Sequence, residues 1–332
     1  MQPPTRYLAP LAWPYTVARL LAARLVGTRL VHIHWLYFLE LPLRGRFFRR
    51  VSFLQTVALL HIIHLLGMRL VWTAHNVVGH EGRDGYGIRI TRTLSAMADR
   101  IIVHSPQTTR QLSEAGADTS RTVVIPHGNY DGVYPTRLGR VAARKHFGVA
   151  PNARVILFFG LIRPYKGVEK LLEAFKQLKS GDHLLIAGEC QPPDLARSLT
   201  AAATEYRNIT FIHQSVPEEE VADYFAAADI VCMPFQTITT SGSAILAATF
   251  GKPLVAPRLG AIKEIPAGAG IFYQPGSDSH TLQHALEQAL AGNLKSMGHT
   301  ARHYADTLSW DDIAAKTYAL YQEILTPSSI AS

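Results

Sequence analysis

The chain has 332 residues, of which 48% are hydrophobic and 17% charged, with a formal net charge of +8; that is enough apolar material for two buried cores in domains of roughly 150 residues. No apolar run reaches the roughly 20 residues of a membrane span, because His61 and His64 interrupt the longest one. No basic segment followed by a cleavable apolar stretch points to secretion, so a cytoplasmic protein is expected, with Cys190 and Cys232, which fit no metal or redox spacing, as reduced core thiols.

Apolar runs of strand length alternate with helical patterns, which predicts an α/β architecture with parallel sheets. In the first half the strand candidates are 30–34, 70–74, 100–104 and 122–126. His32 and His34 alternate on the first of these and so share a face; with no carboxylate or cysteine to complete a set, they do not predict a metal site. After it comes LPLRGRFFRR, in which Arg44, Arg46, Arg49 and Arg50 are interleaved with Leu43, Phe47 and Phe48. Residues 1–145 hold 19 Lys and Arg against 7 Asp and Glu, whereas the remainder holds 14 against 18. The positive charge therefore belongs to the first half alone. Guanidinium and aromatic groups mixed in this way suit an anionic membrane surface or a phosphate-bearing lipid, and no nucleic-acid-binding motif accompanies them.

In open α/β sheets ligands bind beyond the carboxyl ends of the strands. At the end of the second candidate strand stand His75 and Asn76, with His80 and Glu81 in the loop that follows. A histidine there can hold a sugar hydroxyl, and Glu81 can accept a proton from an attacking hydroxyl. His104 and Ser105 end the third strand, and His127 with Gly128 opens the turn-rich loop HGNYDGVYP. That loop predicts a domain junction between residues 134 and 148.

The second half offers strands at 154–160, 182–188, 209–213, 229–234, 253–256 and 270–273. The first ends in GLIRPYKG, where Gly160 permits a turn and Arg163 and Lys166 precede a helix. Two cations at a helix N-terminus make an anion site suited to a diphosphate. The strand ending at Pro234 is followed by TITTSGSAILAATFGKP. One residue suffices to cap a helix; the run Thr239, Thr240, Ser241, Gly242, Ser243 exceeds that need, and it predicts phosphate binding at the positive end of the helix dipole. Asp-x-Asp, G-x-G-x-x-G, G-x-S-x-G and a Walker-type lysine loop are all missing, which weighs against nicotinamide dehydrogenases, hydrolases and ATPases.

Taken in order, WTAHN, ADRIIVHSPQTTRQL, VVIPHGNYDGVYP, ILFFGLIRPYKGVEKLLEAF, LLIAGE, YFAAADIVCMPF and SGSAILAATFGKPLVAPRLGAIKEI resemble the GT-B glycosyltransferases, in particular family 4 and the bacterial relatives that build exopolysaccharides on lipid carriers. The resemblance implies two Rossmann-like doubly wound domains facing each other across a cleft. Residues 1–145 would bind the acceptor and 146–309 the nucleotide-sugar donor, with a C-terminal helix at 310–332 packing back toward the first domain. It implies no cofactor and no metal, only a UDP- or GDP-linked co-substrate. Arg163 and Lys166 would bind the donor diphosphate beside Gly160; Glu189 and residues 214–218 would border the nucleobase; Ser241, Gly242 and Ser243 would close over the phosphate or sugar. His75 would hold the transferred sugar, and Asn76, His104 and His127 would line the acceptor side.

The family's usual arginine directly after the strand glycine is Leu161 here, and its usual pair of glutamates falls on Ile238 and Leu246. The expected function is transfer of a hexose to a hydroxyl of a saccharide or polyprenyl-diphosphate-linked saccharide. Peripheral contact with the inner face of the plasma membrane is expected, and no nucleic acid. A nucleotide-sugar 2-epimerase on the same fold and a non-catalytic partner of an active transferase are the alternatives.

Overall fold

The computed structural model describes residues 9–35, 45–77, 85–178, 181–276 and 278–326. Two compact units emerge, one of residues 1–126 with 311–332 and one of residues 127–310.

In the first unit a parallel sheet runs β1 (Leu30–Ile33), β2 (Arg69–Thr73), β3 (Arg100–Val103), β4 (Thr122–Val124) in that spatial order. Helices α1 (Ala9–Leu25), α2 (Arg46–Leu65), α3 (Gly85–Met97) and α4 (Pro106–Glu114) connect the strands or precede them. The period of two along β2 sorts its side chains between two cores. Leu70 and Trp72 pack with Leu59, Leu60 and Ile63 of α2 and Leu94 of α3. Val71, between them, faces the other way and joins Ile102 and Ile125 in packing against Ile313, Leu320 and Ile324. Those last three lie on the C-terminal helix, Trp310–Leu325, which thus covers the second face of the sheet. A parallel sheet needs both faces covered.

The second unit holds β5 (Arg154–Phe159), β6 (Asp182–Ala187), β7 (Ile209–Ile212), β8 (Ile230–Cys232), β9 (Leu254–Pro257) and β10 (Gly270–Tyr273), all parallel. Their spatial order is β10-β9-β8-β5-β6-β7. Counted from the first strand of the unit this is the doubly wound order 3-2-1-4-5-6, in which the winding reverses between β5 and β8. Every residue of β6 is buried, whereas β7 at the edge is largely half-buried, as its place in the sheet requires.

The units meet earlier than residues 134–148. Helix α5 (Arg140–His146) is bound to the second unit by buried Arg144, which pairs with Asp229 beside β8 and donates to the carbonyls of Ala227 and Ala153. The loop before α5 is fixed there as well. Asn129 donates to the Ala305 carbonyl, and Asp131 takes a two-pronged ion pair from Arg302. Residues 127–145 therefore fold with the second unit, through partners far away in sequence.

Candidate active site

Crevices for ligands open at the carboxyl ends of the strands where the winding reverses. In the second unit that is the pair of loops after β5 and β8, and the two are laced together. The Gln236 amide donates to the Tyr165 carbonyl at 2.7 Å. Gly167 adopts φ 69°, and a Cβ on it would collide with the Pro234 carbonyl oxygen; only glycine lets the first loop pass so close to the second.

Between the loops, a Cβ built on Gly160 would lie 3.7 Å from Lys166 Nζ and 3.8 Å from Ser243 Oγ. The ammonium group, the hydroxyl and the strand-end glycine thus converge on one spot. Lys166 ends a 3-10 turn, Pro164–Lys166, that follows Arg163, and helix α6 (Val168–Lys176) starts directly afterwards. Burial pushes the Lys166 ammonium down to about 8, and the nearby Arg163 guanidinium adds to the shift. An ammonium held short of solvent and beside a second cation is a strong electrostatic partner for an anion.

Helix α9 (Gly242–Thr249) begins on the other side of this spot. The Ser241 hydroxyl accepts from the Ala244 amide at 3.1 Å, so Ser241 is the cap. Gly242 and Ser243 are half-buried in the first turn, where amides point outward at the positive end of the helix. Beside them Thr240 Oγ1 is buried with no hydrogen-bond partner among the described residues. Glu189 is exposed after β6, and residues 214–218 follow β7 at the same edge of the sheet.

One residue of this site, Tyr130, does not stand out in the sequence. Tyr130 reaches α9 so closely that a Cβ on Gly242 would stand 2.7 Å from its hydroxyl. Its only advance signal was an aromatic residue inside the turn-rich loop. His127, from the same loop, has its ring 5.8 Å from Tyr130 and 6.0 Å from Trp310, with Nδ1 donating to the Gly128 carbonyl at 2.7 Å. It belongs to the second unit, not to the acceptor domain expected for it.

In the first unit the carboxyl ends of β1, β2 and β3 bring together His34, His75 and His104. His34 Nδ1 lies 3.0 Å from His75 Nε2, His75 Nδ1 lies 3.2 Å from His104 Nε2, and His104 Nδ1 lies 3.0 Å from the Ile125 carbonyl oxygen. Trp35 stacks on His75 at 4.5 Å. His32 sits behind the row, with Nε2 2.7 Å from Thr73 Oγ1 and Nδ1 2.5 Å from the hydroxyl of Tyr321 on the C-terminal helix. Burial, and then the charge of His34, lower His32 to about 4, and burial also lowers His34.

Both ring nitrogens of His75 are therefore engaged by other histidines. Asn76 is half-buried beside it. His80 and Glu81 lie outside the described residues. Among the described residues no group of three or more His, Cys, Asp or Glu is arranged to hold a metal ion.

Residues 153–292, which contain the whole β5–β10 sheet, match the family described as Glycosyl transferases group 1. A D-inositol 3-phosphate glycosyltransferase of Streptomyces bingchenggensis is 29% identical over 267 residues, covering 76% of this chain and 56% of its own length. The chain thus spans little more than half of that relative. A GDP-mannose:glycolipid 4-beta-D-mannosyltransferase of Xanthomonas campestris pv. campestris is 27% identical over 310 residues, covering 89% of this chain and 80% of its own. Among solved structures, the Anabaena protein HepE in complex with UDP superposes with a TM-score of 0.76 at 18% identity, over 93% of this chain and 82% of that one. Residues 153–292 thus fall in a glycosyltransferase family, and the fold is that of the GT-B glycosyltransferases.

The positions onto which the resemblance puts the family's two glutamates hold core residues here. Ile238 and Leu246 are 8% and 6% exposed, and both pack inside the second unit. This GT-B chain has no carboxylate at either place. The hydroxyl-rich turn at 239–243 occupies the head of the helix instead.

Proposed function

We propose that the chain transfers a hexosyl group from a nucleoside-diphosphate sugar to a hydroxyl of a saccharide or lipid-linked saccharide, without a metal ion. The convergence of Lys166 Nζ and Ser243 Oγ at Gly160, where the winding of the second sheet reverses, carries this reading. The named donor of one relative, GDP-mannose, and the UDP bound in HepE support a nucleotide-linked donor.

As the bond from the sugar's anomeric carbon to the diphosphate breaks, negative charge grows on the leaving nucleotide. Lys166, Arg163 and the first-turn amides of α9 offset that charge, and preorganised groups of this kind supply the largest part of many rate enhancements. Glu189 and residues 214–218 border the nucleobase.

Contact with an anionic membrane is part of the same proposal. Arg46, Phe47, Arg49 and Arg50 are exposed in the first turns of α2, where no acidic residue and no side-chain cap is present. Cations at a helix N-terminus oppose the dipole, and a layer of lipid phosphates offsets that cost. Arg44 lies outside the described residues. No described helix is long and apolar enough to cross a membrane.

The test is release of UDP or GDP from UDP-glucose and GDP-mannose, with and without octyl β-glucoside as acceptor and with EDTA present. Acceptor-dependent release that survives EDTA is expected. Donor conversion without any acceptor would favour the 2-epimerase reading, and no conversion or binding of either donor would favour the non-catalytic one.

A further inference from the structure

The head of α9 leaves two donors open. The Ala244 amide is taken by the Ser241 hydroxyl, and the first intrahelical bond runs from the Ile245 amide to the Ser241 carbonyl. The amides of Gly242 and Ser243, between them, have no acceptor among the described residues. The Ser243 side chain marks one flank of this opening, beside Gly160 and Lys166. Gly242 lies one residue, about 100°, round the helix, and on its flank stands Tyr130.

Tyr130 is placed by its backbone and its neighbours. Its amide donates to Thr249 Oγ1 at 3.2 Å, at the far end of α9, while its hydroxyl meets Gly242 at the head. The side chain thus lies along the helix. Asn129 before it donates to the Ala305 carbonyl, Asp131 after it pairs with Arg302, and Tyr134 stacks on its ring at 5.9 Å. No hydrogen bond occupies the Tyr130 hydroxyl among the described residues. A Cβ on Gly242 would stand 2.7 Å from that oxygen, closer than a real Cβ can come, so the glycine makes room for the hydroxyl. All of these residues belong to the second unit.

We propose that the Tyr130 hydroxyl binds the terminal phosphate of a nucleoside diphosphate, donating to an oxygen of a group seated on the Gly242 and Ser243 amides. The proposal rests on the diphosphate reading of this site. Sheet order selects the phosphate. The nucleobase borders the ends of β6 and β7, whereas α9 follows β8 on the other side of β5. The phosphate next to the nucleoside therefore meets the β5 loop first, and the terminal one reaches α9. Burial, and then the neighbouring Tyr134, push the Tyr130 phenol above its ordinary value of 10. At neutral pH it keeps the proton that a phosphate oxygen accepts.

The experiment is calorimetric titration of UDP, UMP, GDP and GMP into the full chain as wild type, Tyr130→Phe and Lys166→Ala. Tyr130→Phe should lose about tenfold in affinity for the diphosphate that wild type binds, the size expected of one hydrogen bond to a charged group, and stay within about twofold for the matching monophosphate. Gly242→Ala reads the same contact without a ligand. It should lower the melting temperature of wild type, and lower it by less than half as much in Tyr130→Phe, which lacks the oxygen that the new methyl meets. An equal fall in both backgrounds would overturn the proposal, as would an equal loss for diphosphate and monophosphate in Tyr130→Phe. Wild-type affinity in Tyr130→Phe beside a weakened Lys166→Ala would overturn the role of the tyrosine alone. Wild-type affinity in both variants, or no nucleotide bound by wild type, would overturn the anion site and the tyrosine's role with it.

Discussion

Lys166 carries most of the chemistry assigned to a single side chain, and its lowered pKa makes that role testable by pH. Its charge is present below about 8 and lost above, whereas a bound diphosphate favours the protonated form. Affinity for UDP or GDP should therefore decline as pH rises through about 8. Lys166→Arg, whose guanidinium stays charged, should hold its affinity at pH 9.5; a wild-type affinity that is flat from pH 7 to 9.5 would contradict the assignment. Thr240 makes a second residue-scale prediction. Its Oγ1 is buried without a partner among the described residues, and an unsatisfied buried hydroxyl costs about 1–3 kcal/mol. Thr240→Val should raise the melting temperature of the free protein and weaken UDP or GDP binding. A fall in melting temperature would mean that the hydroxyl already has a partner.

At the scale of elements, the ten strands among the described residues follow the apolar runs of the sequence, because strands covered on both faces need continuous apolar stretches. The runs overshoot the ladders at their carboxyl ends. His34, Ala74, His104, Gly160, Gly188 and His213 all lie just beyond the strand ladders. Lys166, Ser243 and the turn at 239–243 were legible because chemistry, loop and helix start are adjacent in sequence. The histidine row was not, since it joins three loops whose spacing says nothing about ring-to-ring distance. Tyr130 and the true boundary were hidden for the same reason: Asp131 meets Arg302 across 171 positions. The loops after β5 and β8 depend on one close passage, which gives an element-scale prediction. Gly167→Ala would force both a strained φ of 69° and a clash with backbone of the next loop. Urea unfolding should show a loss of about 1–3 kcal/mol, together with weaker nucleotide binding; wild-type stability would mean that the two loops can separate at no cost.

At the scale of the whole molecule, charge and sheet order divide the work between the units. The basic half of the sequence, residues 1–145, supplies the arginine-aromatic start of α2 and the histidine row, while the doubly wound sheet of the second unit supplies the loops proposed to bind an anion. Flotation with vesicles of phosphatidylcholine and phosphatidylglycerol should retain the wild-type chain, and the triple change of Arg46, Arg49 and Arg50 to Gln should release most of it. Salt should weaken the wild-type association, as for any contact made through exposed charge; equal flotation of both proteins would remove the membrane from the account. A nucleoside diphosphate is proposed to bind where the winding reverses between β5 and β8. Calorimetric titration of UDP and GDP into wild type and Lys166→Ala tests it most directly. Wild type should bind one nucleotide and the variant should bind it at least tenfold more weakly at unchanged melting temperature, whereas equal affinity in the two proteins would contradict a diphosphate site at Lys166.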